Sequence, residues 1–205
     1  MKAISVSLTL IVFSLFITGC THQLDSTKEL RSFVADQRNG LTKEKTFGEL
    51  NVRLSYRPTD LLVDQELGDE VATASEVERL RDQYDDYLYF LLSYSANGKE
   101  IEAWRVNSQQ EFGTRVQALA FGMGQQVKLS SDTRDSIPLV DFIYQRTFGG
   151  GSSSDVLLAF DREAAEGSDW LNFRLQDIGL GIGTNHFRFD VAAIKALPPL
   201  PFVQQ

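Results

Sequence analysis

Thiol and imidazole are nearly missing from this chain of 205 residues, which has one cysteine, Cys20, and two histidines, His22 and His186. A single cysteine closes no internal disulfide, and one thiol with two histidines cannot supply the ligand set of a structural zinc site. Cations are also in the minority, with 20 Lys+Arg against 28 Asp+Glu and a formal net charge of -8. Affinity for a phosphate backbone comes from clustered Lys and Arg, so a nucleic-acid partner is not expected. Apolar residues, in contrast, are not scarce. At 42% hydrophobic, 11% aromatic and 23% charged, the composition excludes a disordered, collagenous or polytopic membrane protein. The length suits one globular core.

The N-terminus opens with Lys2, continues through the apolar stretch from Ile4 to Phe16 and closes on Ile17-Thr18-Gly19-Cys20. A positive end, an apolar centre of secretory length and small residues before a break mark a signal peptide. The polar Thr21-His22-Gln23 follows at once, so the apolar stretch falls short of the about 20 residues that a spanning helix needs.

Ile17-Thr18-Gly19-Cys20 resembles the lipobox of bacterial lipoprotein precursors: an aliphatic residue, two small ones and an obligatory cysteine. The resemblance covers the first tenth of the chain. It implies cleavage between Gly19 and Cys20 and a diacylglyceryl group on the Cys20 sulfur, which also accounts for a lone thiol in an exported protein. Lipoproteins kept at the inner membrane often carry Asp directly after the cysteine, and Thr21 departs from that pattern. The implied location is therefore the outer membrane, and because Thr21-His22-Gln23-Leu24-Asp25 lacks the acidic cluster that some surface-exported lipoproteins carry after the cysteine, the body is expected to face the periplasm. Loss of residues 1–19 removes one basic residue and leaves 19 basic against 28 acidic, so membrane contact should run through the lipid and not through a basic face.

Residues 20–46 read as a lipidated N-terminus and tether, although Ser26-Thr27-Lys28-Glu29 is a capping box before Leu30, Phe33 and Val34 and equally suits a short docked helix. Residues 47–205 read as one globular β-rich domain. Leu50, Val52, Leu54 and Tyr56 alternate as in a half-buried strand, and Thr59–Leu67 suits a short helix that ends at Gly68. Ser75-Glu76-Val77-Glu78 is a second capping box, with Leu80, Tyr84, Tyr87 and Leu88 after it at helical spacing. The run from Tyr87 to Tyr94 predicts a central strand buried on both faces. Asn97-Gly98 predicts a hairpin into Glu100–Val106. A third capping box, Ser108 to Glu111, opens a helix carrying Phe112, Val116, Leu119 and Ala120.

Beyond Gly124 the pattern changes to short strands: Gln126–Leu129, Leu139–Phe148, Val156–Asp161, Trp170–Leu175 and Asn185–Val191. In the second of these Val140, Phe142 and Tyr144 are expected to face inward. Residues 149–154, three glycines and three serines, read as a flexible loop, and Pro198-Pro199-Leu200-Pro201 as an extended exit. The fold class expected is mainly β with a few short helices (α+β), a β-sandwich-like single domain.

Few residues point to chemistry. Gly179-Leu180-Gly181-Ile182-Gly183 has the wrong spacing for a nucleotide loop and reads as a bulge or tight turn. The acids around Asp82, Asp85 and Asp86 lack the glycine-hinged spacing of a calcium loop. His186 would have to be the base of any Ser-His-Asp triad, but no Gly-x-Ser-x-Gly elbow exists and the strand pattern puts it on a polar face. No catalytic residue, metal or cofactor is expected. Arg174 and Arg188, with His186, could form a patch for an acidic partner if strands 170–175 and 185–191 pair. The expectation is a membrane-anchored envelope lipoprotein with a non-catalytic binding or assembly role and an envelope protein as partner. The alternatives are a periplasmic carboxylate-dependent hydrolase of glycan or cell wall, and a carrier of an apolar ligand.

Overall fold

A computed structural model describes residues 24–68 and 72–202. The lipobox and Cys20 lie outside them. The described residues form an α+β fold of eight strands in two antiparallel sheets with six α-helices.

The larger sheet is built from β1 (Thr42–Phe47), β2 (Leu50–Arg57), β3 (Tyr87–Ala96), β6 (Ser154–Asp161) and β5 (Leu139–Gln145), in that spatial order. The smaller one has β4 (Val127–Ser131), β7 (Trp170–Leu175) and β8 (Asn185–Asp190). Period-2 patterning makes the sandwich. Leu50, Val52, Leu54 and Tyr56 of β2 and Leu88, Phe90, Leu92 and Tyr94 of β3 are buried on one face. They meet the buried faces of β7 and β8, with the Phe90 ring 6.2 Å from that of Phe173 and 5.2 Å from that of Phe189.

The helices are α1 (Thr27–Ala35), α2 (Thr59–Leu67), α3 (Ala74–Asp85), α4 (Gln109–Phe121), α5 (Met123–Gln126) and α6 (Val191–Lys195). The Ser26 and Ser108 hydroxyls accept the amides of Glu29 and Glu111, as their capping boxes predict. In α3 the cap is Thr73, two residues before the expected box, because its hydroxyl accepts the Glu76 amide.

Several expectations need correction. Residues 24–46 are not a tether: Leu24, Leu30, Val34 and Leu41 are buried in the main core, and β1 pairs with β2 along its whole length. β3 is central, but its second face is only partly covered, because the helices occupy part of that side and leave Tyr87 and Leu91 half exposed. The Asn97-Gly98 turn forms with positive φ at both residues (51° and 70°), yet pairing stops at the Ala96–Lys99 bridge. No strand forms over 100–106, because the Arg115 guanidinium of α4 draws the carbonyls of Ile101 and Trp104 to itself and curls the chain into a turn. In β5 a bulge between Leu139 and Asp141 shifts the phase, so Phe142 and Tyr144 turn inward while Val140 faces out.

The loop after β5 is held in place. The Glu100 carboxylate accepts the amides of Gly149 at 2.6 Å and Gly151 at 2.8 Å and the hydroxyl of Thr147. The proline-rich exit is docked as well, with Leu200 buried in the core. The 179–183 segment is a tight turn in which Gly179, Gly181 and Gly183 all have positive φ, and the Asp177 carboxylate accepts the amides of Leu180 and Gly181.

Candidate functional site

The helical side of the large sheet carries an apolar groove of 570 Å3. Its floor follows from register: Tyr89 of β3 is opposite Ala159 of β6, which is opposite Asp141 of β5, and Leu157 of β6 is opposite Ile143 of β5. These residues share the face turned away from the sandwich core. Leu62, Gln65 and Glu66 of α2 and Tyr84 of α3 make the helical wall. The opposite wall is β5, the last strand of the sheet, where Val140 is 51% and Ile143 56% exposed. Large apolar residues left this open beside a hollow are the kind of surface that marks interaction sites.

Three tyrosines and two carboxylates give the groove its polar character. The Tyr84 ring is 6.0 Å and the Tyr87 ring 6.1 Å from that of Tyr89, both edge-on. The Tyr84 hydroxyl donates to the Glu66 carboxylate at 2.5 Å, and that bond pushes its pKa up to about 12. Burial, ahead of the neighbouring tyrosines, pushes Tyr89 up to about 12 as well. Both phenols therefore stay neutral at physiological pH. The Asp141 carboxylate accepts the Phe142 amide at 2.8 Å. Among the described residues the lining has no Lys, Arg, His, Ser, Thr or Cys. It can bind by apolar contact, ring faces, the side-chain amides of Gln65 and Gln145, and two negative charges.

The residues expected from sequence lie elsewhere. β7 and β8 do pair, with Arg174 opposite His186 and Asn172 opposite Arg188, so the two arginines are diagonal neighbours on the outer face of the small sheet. The Arg188 guanidinium lies 4.5 Å over the Trp170 ring, whereas the Arg174 Nε is buried with no hydrogen-bond partner among the described residues. His186 Nδ1 is 3.3 Å from the Asn172 amide nitrogen. Its neighbours across the register are Arg174 and, on its own strand, Arg188, which is not the setting of a triad. Sequence reasoning missed the groove. The signal was there in Val140-Asp141-Phe142-Ile143-Tyr144, where apolar residues fall on both faces of one strand.

A larger hollow of 950 Å3 lies along α1, lined by Asp25, Lys28, Glu29 and Asp36 among others. Its polar walls make it a feature of the solvated surface. Among the described residues no three His, Cys, Asp or Glu come together as a metal site, and no helix is long and apolar enough to cross a membrane.

Fold and groove together define an α+β, sandwich-like protein with an open apolar groove on its larger sheet. Comparison with protein-family models, with characterised proteins by sequence and with solved structures by fold finds no match to this chain.

Proposed function

We propose that this protein is an envelope lipoprotein, anchored through a lipid on Cys20 at the outer membrane and facing the periplasm. Its body has a non-catalytic binding or assembly role. The lipobox Ile17-Thr18-Gly19-Cys20 supports the anchor. The binding role rests on one observation: Val140 and Ile143 stand open to solvent on the wall of the apolar groove, at positions where an unpartnered sheet edge would otherwise carry charge. Carriage of a small apolar ligand is the second reading, favoured by a groove volume in the range of small-molecule sites.

The anchor also sets where the body works. Leu24 is 1% exposed and packed in the core, four residues after Cys20. A fully extended chain of that length reaches about 14 Å, so the body lies close to the bilayer surface. Metabolic labelling with palmitate tests the anchor: the wild type should incorporate label into the membrane fraction, and Cys20→Ala should lose both label and membrane attachment. A photo-crosslinking amino acid at Ile143, used in native membranes, tests the binding role. A discrete adduct from Ile143 and from Val140, absent when the crosslinker stands at exposed Asp132, is expected. No adduct from either position would remove the binding role.

A further inference from the structure

We infer that the occupant of the groove is a protein segment that carries both apolar and basic side chains, its apolar residues against Val140, Ile143 and Leu157 and its Lys or Arg residues toward Glu66 and Asp141. The inference deepens the binding role proposed above and rests on it. Charge carries the argument first. Among the described residues the groove lining holds two carboxylates and no cation, and neither Glu66 nor Asp141 takes part in an ion pair. The hydrogen bonds given to them, from the Tyr84 hydroxyl and from the Phe142 amide, come from neutral donors and leave the negative charge uncompensated. Both carboxylates are exposed, and an anionic or zwitterionic occupant would bring its own negative group beside them, where like charges repel. A cationic group meets the opposite field.

The tyrosines point the same way. Tyr84, Tyr87 and Tyr89 line the groove with their rings, and ring faces attract ammonium and guanidinium groups. Shape then separates a chain segment from a small ligand. The open apolar wall runs along β5 from Val140 to Ile143, each more than half exposed, on the strand that closes the sheet. A segment lying along that strand covers both residues, while a compact ligand seated on the floor leaves them wet.

The test uses the mature chain with Cys20→Ser, which removes the lipid and keeps the body, and fluorescence anisotropy of three labelled ten-residue peptides: alternating Leu/Lys, Leu/Glu and Gly/Lys. Leu/Lys should bind at least tenfold tighter than each of the others. Ile143→Lys and, separately, Val140→Lys should each weaken it at least tenfold, and both positions are exposed enough for the variants to fold, which circular dichroism verifies. Glu66→Gln with Asp141→Asn should flatten the salt dependence of Leu/Lys binding. Equal binding of Leu/Lys and Leu/Glu, no binding, or Leu/Lys binding undiminished by Ile143→Lys would overturn the inference. The crosslinking from Ile143 distinguishes this failure from that of the binding role. An adduct mapped to an acidic or uncharged segment, a lipid or a second copy of this chain leaves a binding role and overturns the basic segment, whereas the absence of any adduct removes both.

Discussion

Asp60 shows how one side chain can organise distant parts of this protein. It sits in the first turn of α2, is 8% exposed, and its carboxylate accepts two bonds from the Arg81 guanidinium, at 2.7 and 3.1 Å, and the Leu200 amide at 2.5 Å. Arg81 also donates to the Leu200 carbonyl at 2.7 Å, so a fork-shaped ion pair grips both backbone groups of one residue in the proline-rich exit. Removing one partner leaves the other charge poorly compensated. Because Arg81 keeps a third of its surface in water, Asp60→Ala should cost about 2–3 kcal/mol, less than for a fully buried pair. Urea denaturation measures the loss, and amide exchange at Leu200 should speed up far more than exchange in β7. Unchanged exchange at Leu200 would show that the exit is held by Leu200 burial alone. The tyrosines yield a second prediction at this scale. Tyr84 and Tyr89 ionise near pH 12 in the folded state against 10 for a free phenol, and burial raises Tyr56, Tyr94 and Tyr144 too. A raised phenol pKa means that the unfolded chain binds fewer protons between those values, so the stabilisation is complete below pH 10 and falls as pH rises from 10 to 12. Spectrophotometric titration should show these phenolates appearing late in native protein and near pH 10 in urea. Coincident curves would refute it.

Among the elements, the loop between β5 and β6 departs most from its sequence appearance. A run of three glycines and three serines reads as mobile, yet Glu100 lies across it and accepts two of its amides, satisfying backbone donors that water would otherwise take. A methyl group on Gly151 would stand 2.7 Å from that carboxylate and 2.5 Å from the Thr147 hydroxyl. Gly151→Ala and Glu100→Ala should therefore both free the loop, with limited proteolysis cutting within 146–153 at least several-fold faster and the thermal midpoint nearly unchanged. Equal cleavage of wild type and variants would mean that Glu100 does not hold the loop. What was legible in sequence follows the range of the interaction. Strand β7, Trp170–Leu175, and helix α2, Thr59–Leu67, have the expected bounds because period and caps are local signals. Contacts between Glu100 and Gly151, or between Arg115 and Ile101, join residues that no local pattern relates, and they decide that 100–106 is a turn and 149–154 is fixed. The groove was hidden for the same reason. Apolar residues on both faces of 140–144 are a partial signal in the sequence, but the bulge that turns Val140 outward shows only once β5 pairs with β6. Arg174 and Arg188 were placed on their shared face by strand alternation, but the Trp170 ring under Arg188 comes from the fold.

At the scale of the whole molecule, the N-terminal segment decides how large the folding unit is. Leu24, Leu30, Val34 and Leu41 together bury four large apolar side chains in the core shared by the two sheets. At about 1.5–3 kcal/mol each for full burial, they contribute roughly 6–12 kcal/mol, an upper figure because a denatured chain already hides part of its surface. A typical domain has a net stability of only about 5–15 kcal/mol after conformational entropy is subtracted, so loss of a gross term of this size is enough to unfold it. β1 adds to this by pairing with β2 from Thr42–Ser55 to Phe47–Leu50; without it β2 becomes an exposed edge strand with unpaired amides. The Thr42 hydroxyl ties the two parts together, donating to the Val34 carbonyl at 2.7 Å. A chain beginning at Phe47 should therefore fail to unfold cooperatively in urea and should aggregate through β2, while one beginning at Leu24 should give a single sigmoidal transition. The same comparison bears on the proposed anchor at Cys20. If residues 24–46 were dispensable, the body could swing at the end of a chain more than twenty residues long; with those residues folded, only Thr21, His22 and Gln23 separate Cys20 from the core. A cooperative transition for the chain beginning at Phe47 would restore the long tether and, with it, a body free to work far from the membrane.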